Sequence, residues 1–364
     1  MKGLFHKRKF HFLISAILIT GFVSACSDGS KSKQPTEETQ VSIKQENLTL
    51  KYTSGIRSIL EDSKGNIWFG SHQEGAALFD GEGLTYFTVE NGLSDNQIRS
   101  IYEDEAGTVW FEGGKGLSNY DGDKMTTVLA RDYNSKTQWQ LEEGDLWFKG
   151  DETVGFNPTE THPGVYRYDG SKLIYQAFPV ELKGGGETVY SVSTPFIKRS
   201  NGSVWFGTYG AAIGYNGTDF EIINDERLGL DKQTEFLHIR SLFEDSKGNL
   251  WIGNNGIGVL KYDGENIINF TQLHNLTKAE TGGNSLEKIF SIGEDNEGNI
   301  WFGTYQSGVW RFDGKSLTNF TEEDGLPSNQ IWTIYNSKQG ELWFGGASPS
   351  GVYLFNGNSF ERKY

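Results

Sequence analysis

The chain has 364 residues, of which 14% are aromatic and 47 are glycine; 33 Lys and Arg stand against 48 Asp and Glu, a formal net charge of −15. So acidic a chain repels nucleic-acid phosphates and anionic membrane surfaces, which argues against both as direct partners. A single cysteine excludes an internal disulfide.

Residues 1–25 read as a leader. Lys2, His6, Lys7, Arg8 and Lys9 are basic, and the apolar run from Phe12 to Phe22 is short for a spanning helix. Val23-Ser-Ala-Cys26 then matches a bacterial lipobox at all four positions. That resemblance implies cleavage before Cys26 and lipidation of its thiol and amine, so the membrane is reached through acyl chains. Residues 26–46 are polar and aperiodic, as a flexible tether would be. Ser27 rather than aspartate after the cysteine leans the location within the bacterial envelope toward the outer membrane.

From residue 47 to 364 one sentence repeats. It reads Ile56-Arg-Ser-Ile-Leu-Glu-Asp-Ser-Lys-Gly-Asn-Ile-Trp-Phe-Gly70 and then Leu78-Phe-Asp-Gly81, and it returns as Ile239 to Gly253 and Ser291 to Gly303. Its tryptophan recurs seven times, at Trp68, Trp110, Trp147, Trp205, Trp251, Trp301 and Trp343. Each copy predicts four short strands: an alternating apolar run, a Gly-Asn hairpin, the Trp strand, and two strands joined at Asp-Gly or Asn-Gly. Seven such units predict an all-β, seven-bladed β-propeller of four-stranded antiparallel blades. Residues 47–53 resemble a fourth strand, as do residues 358–364, so both ends compete to complete the last blade.

These units resemble two-component-regulator propeller repeats. The third, around Trp139-Gln-Leu-Glu-Glu-Gly-Asp-Leu-Trp147, and the fourth, around Phe196 to Gly207, depart furthest. The resemblance implies a periplasmic sensor of carbohydrate or other nutrients. Long sensor relatives continue into a further β-domain, a membrane span and a kinase, whereas this sequence stops at Tyr364.

Features present in every copy are structural, so the seven tryptophans are expected between blades and the Glu-Asp pairs at the Gly-Asn turns. Function is expected where copies differ, in the loops of one face: residues 149–164, 178–190, 225–238 and 272–287. The second position of each inner strand opens there and holds Arg57, Arg99, Lys136, Thr194, Arg240, Phe290 and Trp332. The loops between second and third strands add His72, Gln73, Lys115, Tyr209, Asn254, Asn255, Tyr305 and Gln306. Arginines and aromatics at one mouth suit an acidic or stacking ligand, either a small molecule or glycan, or a protein partner. The alternative is that the arginines pair with glutamates between blades.

No cofactor motif is present, and no Asp-x-Asp-x-Asp-Gly metal spacing. The chain also lacks a His-x-x-x-His pair, a Gly-x-Ser-x-Gly elbow and a cysteine nucleophile. The expected function is therefore binding rather than catalysis. A propeller lyase or glycan-active enzyme with His72 or His238 as base, and a scaffold subunit of an outer-membrane complex, stand as alternatives.

Overall fold

In the computed structural model, which describes residues 49–128, 134, 136–150, 162–181, 189–231 and 235–364, seven antiparallel sheets follow one another around a ring. The leader, the tether with Cys26, and parts of the loops at 149–164, 178–190 and 225–238 lie outside the described residues. Each blade is built from contiguous chain, with strands in sequence order from inner to outer. The second strands carry the tryptophans, among them Ile67–Ser71, Val109–Gly113 and Leu146–Lys149.

Packing between blades follows from the repeat. Trp68 of blade one lies among Ile98, Ile101 and Phe111 of blade two, and Trp251 of blade five among Ile289, Ile292 and Phe302 of blade six. None of the seven tryptophans is more than 4% exposed. One such cluster joins blade seven to blade one, with Trp343 and Val352 against Ile56, Ile59 and Phe69. That contact closes the ring. Leu50 and Tyr52 are buried in it without forming a strand, while Phe360–Arg362 takes the outer place in blade seven. The C-terminal segment therefore supplies the fourth strand there, and the described part of the competing N-terminal segment, residues 49–53, does not.

The Glu-Asp pair divides its work. Asp245 serves its own hairpin: its carboxylate accepts the Lys247 and Asn249 N–H groups at 3.0 and 2.8 Å and the Trp251 indole N–H at 2.8 Å. Asp62, Asp104 and Asp295 repeat this clasp. The glutamate instead reaches the preceding blade. Glu103 accepts the N–H and hydroxyl of Ser63, Glu244 those of Ser200, and Glu294 those of Ser246. Glu61 accepts the Lys338 N–H across the closure. The expectation that both members cap their own turn holds only for the aspartate.

Blade three departs from the four-stranded pattern. Its described strands number three, and residues 136–142 run past it without pairing. Trp139 stacks on Trp147 at 5.3 Å and donates its indole N–H to the Ala177 carbonyl, so it packs between blades three and four on the side of their outer strands. In blade four the inner strand is shortened to Ile197–Lys198.

Candidate functional site

Five inner strands share one irregularity. Register with the second strand skips a residue between Ile56 and Ser58, Ile98 and Ser100, Ile239 and Ser241, Ile289 and Ser291, and Ile331 and Thr333. The skipped residues are Arg57, Arg99, Arg240, Phe290 and Trp332. A bulge leaves its extra residue outside the ladder and redirects its side chain. Repeated around a ring, it delivers these side chains to a common cavity of about 500 Å³, within the range of roughly 300–1,000 Å³ usual for small-molecule sites.

His72 and Tyr209, from the loops between second and third strands, also line this cavity, as does Thr194. Tyr305 stands behind, stacked on Phe290 at 5.4 Å, and Phe290 in turn stacks toward Trp332 at 6.3 Å. Asn254 does not reach the cavity: it is the last residue of a second strand, fully buried, with its amide turned to the Ile252 carbonyl. Lys136 is exposed, and among the described residues blade three has no inner strand to point it inward. Asn255 meets His238 at 3.5 Å, while Gln73 and Lys115 border a second cavity of about 380 Å³ that shares His72 and Gln97 with the first.

The electrostatics of the main cavity are one-sided. Arg57, Arg99 and Arg240 have no carboxylate within ion-pair distance among the described residues, so the expected alternative of pairing between blades is not realised. They rest instead on neutral groups. Arg240 lies 4.6 Å from the Phe290 ring centre, Arg57 lies 5.8 Å from that of Trp332, and Arg99 Nε donates to Gln97 Oε1 at 3.0 Å. Burial and repulsion from Arg240 and Arg99 push Arg57 down to about 10. Arg240 is lowered as well, chiefly by burial. Burial and the same three arginines hold His72 below the ordinary histidine value. Its Nδ1 faces Arg57 Nη1 at 3.3 Å and, in the neutral ring, accepts that donor. Three unpaired cations beside stacked rings can hold an anion through charge-assisted hydrogen bonds while a ring face covers the ligand.

Gln97, Ser100, Glu112 and Lys149 also line the cavity and were not singled out from the sequence. For two of them a signal was present. The residue two places after the repeat tryptophan is glycine in five copies, Gly70, Gly207, Gly253, Gly303 and Gly345, but Glu112 and Lys149 in the other two.

Among the described residues no group of three metal-binding side chains occurs, and no helix is long and apolar enough to cross a membrane. No curated protein matches the sequence. The two component regulator propeller family matches residues 53–73, 92–111, 236–256, 283–306 and 325–348, in blades one, two, five, six and seven. Among solved structures, the extracellular domain of a protein described as a hybrid two component system from B. thetaiotaomicron superposes with a TM-score of 0.58 at 20% identity. The match covers 85% of this chain and 39% of that one, so the present chain spans well under half of its length. A streptogramin B lyase superposes with a TM-score of 0.56 at 15% identity, covering 84% of this chain and 95% of the lyase. At such identities the superpositions establish the fold alone. Five of the seven blades thus carry the two component regulator propeller repeat.

Proposed function

We propose that this propeller is a sensor-like binding protein of the bacterial envelope that holds a small anionic ligand with a ring face in its central cavity. The observation that carries the reading is the set of bulged arginines, Arg57, Arg99 and Arg240, gathered without carboxylate partners beside Phe290 and Trp332. A folded protein bears the cost of unpaired, mutually repelling cations for a reason, and an anionic ligand supplies the missing partner. Anchoring through lipid on Cys26 belongs to the same proposal; Cys26→Ala should then move the protein from the membrane to the soluble fraction.

Calorimetric titration with ring carboxylates and with neutral sugars tests the ligand class. Carboxylates should bind and neutral sugars should not, added salt should weaken the binding, and Arg99→Gln should reduce it about tenfold or more, the loss of one charge-assisted hydrogen bond. Neutral sugars binding as tightly, or Arg99→Gln binding unchanged, would reject the anionic reading. Recovery of the ligand intact after incubation supports binding alone, whereas a new product would favour a lyase with His72 as base. Binding of no small molecule, with a protein retained after crosslinking in the envelope, would favour a scaffold.

A further inference from the structure

The rim of the central cavity drops at one blade. Each loop between second and third strands opens with a residue whose backbone N–H donates to the segment entering the inner strand of the same blade. His72 donates to Gly55, Gly114 to Gln97, Tyr209 to Ser191, Asn255 to His238, Tyr305 to Lys288 and Ala347 to Gln330, at 2.8–3.2 Å. His72, Tyr209, Asn255 and Tyr305 raise a large side chain at this place. In blade seven the Trp332 ring closes the gap: a Cβ on Gly55 would come within 2.8 Å of both Trp332 Cε3 and Ala347 Cα. Among the described copies Gly114 alone leaves a notch. Its backbone lies outside the left-handed region, so conformation does not demand glycine there. Space does, because a Cβ would come within 2.6 Å of Asp95 Oδ2 and 2.7 Å of Gln97 Oε1. Two polar side-chain ends thus border the place that a larger residue takes in other copies.

A line of rings leads from the far wall to this notch. It starts at Arg240, 4.6 Å from the Phe290 ring centre, and steps from Phe290 to Trp332 at 6.3 Å and from Trp332 to His72 at 5.0 Å. His72 and Gln97 line both the central cavity and the second one, and Gly114 lines the second with Gln73, Asp95, Asn96 and Lys115. Among the described residues the side chains of Gln73, Asp95 and Lys115 take part in no hydrogen bond or ion pair within the protein. Their donors and acceptors are therefore open to a ligand. Asp95 and Lys115 carry opposite charges, so the second cavity matches a neutral, hydroxylated group better than a second acid.

We infer that the two cavities form one cleft and that its ligand has at least two units: an acidic ring lying along Arg240, Phe290 and Trp332, and a hydroxylated unit that passes Gly114 into the second cavity. The inference rests on the anionic reading above. The ring faces guide the first unit, because stacked aromatic side chains hold flat or ring-faced groups. Gln73, Asp95 and Lys115 then take the hydroxyls of the second. A ligand that ends in the central cavity makes none of those bonds.

The test is calorimetry with two probes, 4-hydroxybenzoate and its 4-O-β-D-glucoside, on wild type and on a Gln73→Ala, Lys115→Ala double variant. Both substituted side chains are exposed, so the variant keeps its fold. The glucoside should bind wild type about tenfold or more tighter than 4-hydroxybenzoate, the gain from one or two added hydrogen bonds. The double variant should lose most of that advantage and bind 4-hydroxybenzoate as wild type does. A glucoside that binds wild type no tighter than the single ring, or an advantage that survives in the double variant, would overturn the extended cleft while leaving the anionic cavity standing. Equal weakening of both probes in the double variant would overturn it as well. If neither probe binds wild type, the anionic reading fails and the cleft with it.

Discussion

Replacing Arg57 with glutamine should stabilise the protein. The drop of the guanidinium from its ordinary 12.5 to about 10 expresses a penalty on the charged form. Because each tenfold change in proton affinity is worth about 1.4 kcal/mol, that penalty is about 3 kcal/mol. Arg57 is only partly buried, at a mouth open to water and salt ions, which screen roughly half of it. Losing the contact with the Trp332 ring costs ~0.5 kcal/mol. The net expectation is a gain of ~1 kcal/mol for Arg57→Gln, read as a shifted midpoint at unchanged slope in denaturant unfolding. Salt should raise wild-type stability more than that of the variant, because screening relieves the same repulsion. Arg167 provides the contrast. Its Nε sits 2.5 Å from Asp145 Oδ2, with both side chains buried, so Arg167→Gln leaves an uncompensated carboxylate and should cost ~3–5 kcal/mol. If Arg57→Gln instead destabilises by 1 kcal/mol or more, as a paired arginine would, the reasoning about stored repulsion is wrong.

Asp245→Ala should cost ~3 kcal/mol in the same assay, since it orphans the Trp251 indole N–H and two hairpin amides; a cost below ~0.5 kcal/mol would show that the clasp is dispensable. Gly303→Ala sets a Cβ 2.2 Å from Ser291 Oγ and 2.8 Å from the Ile331 carbonyl oxygen, and it should cost ~1–3 kcal/mol; wild-type stability would mean that neighbouring blades separate easily. The pH dependence has a defined sign. His72 titrates below its ordinary 6.5 in the folded protein, so the unfolded chain binds more protons in the window just below that value, and stability falls as the pH drops through it. Between pH 6.5 and pH 5, wild type should therefore lose more stability than His72→Gln; equal losses would mean that the arginines do not bear on the imidazole.

Much of the architecture was legible because it repeats. A tryptophan followed by a hairpin signal at every copy can be counted, and a count of seven predicts the ring. The inner-strand position of Arg57, Arg99, Arg240, Phe290 and Trp332 was legible on the same ground. The bulge that turns each of them toward one cavity was not, because register is decided by pairing between strands and leaves no local mark. Asn254 was misplaced for a related reason: the second strand of its blade runs one residue further than the glycine suggests, so its side chain faces the wall. The inter-blade role of Glu103, Glu244 and Glu294 was hidden because their partners are the turns of the preceding blades. Glu112 and Lys149 could have been found. A charged residue at a place where the copies require glycine signals that the neighbouring strand has moved away.

The most direct measurement of the central claim is a crystal structure with the tightest-binding carboxylate of the titration series. The account predicts the carboxylate among Arg57, Arg99 and Arg240, at hydrogen-bond distance from at least one of them, with its ring against Phe290 or Trp332. A ligand seated on the outer loops, with no contact to these arginines, would contradict it.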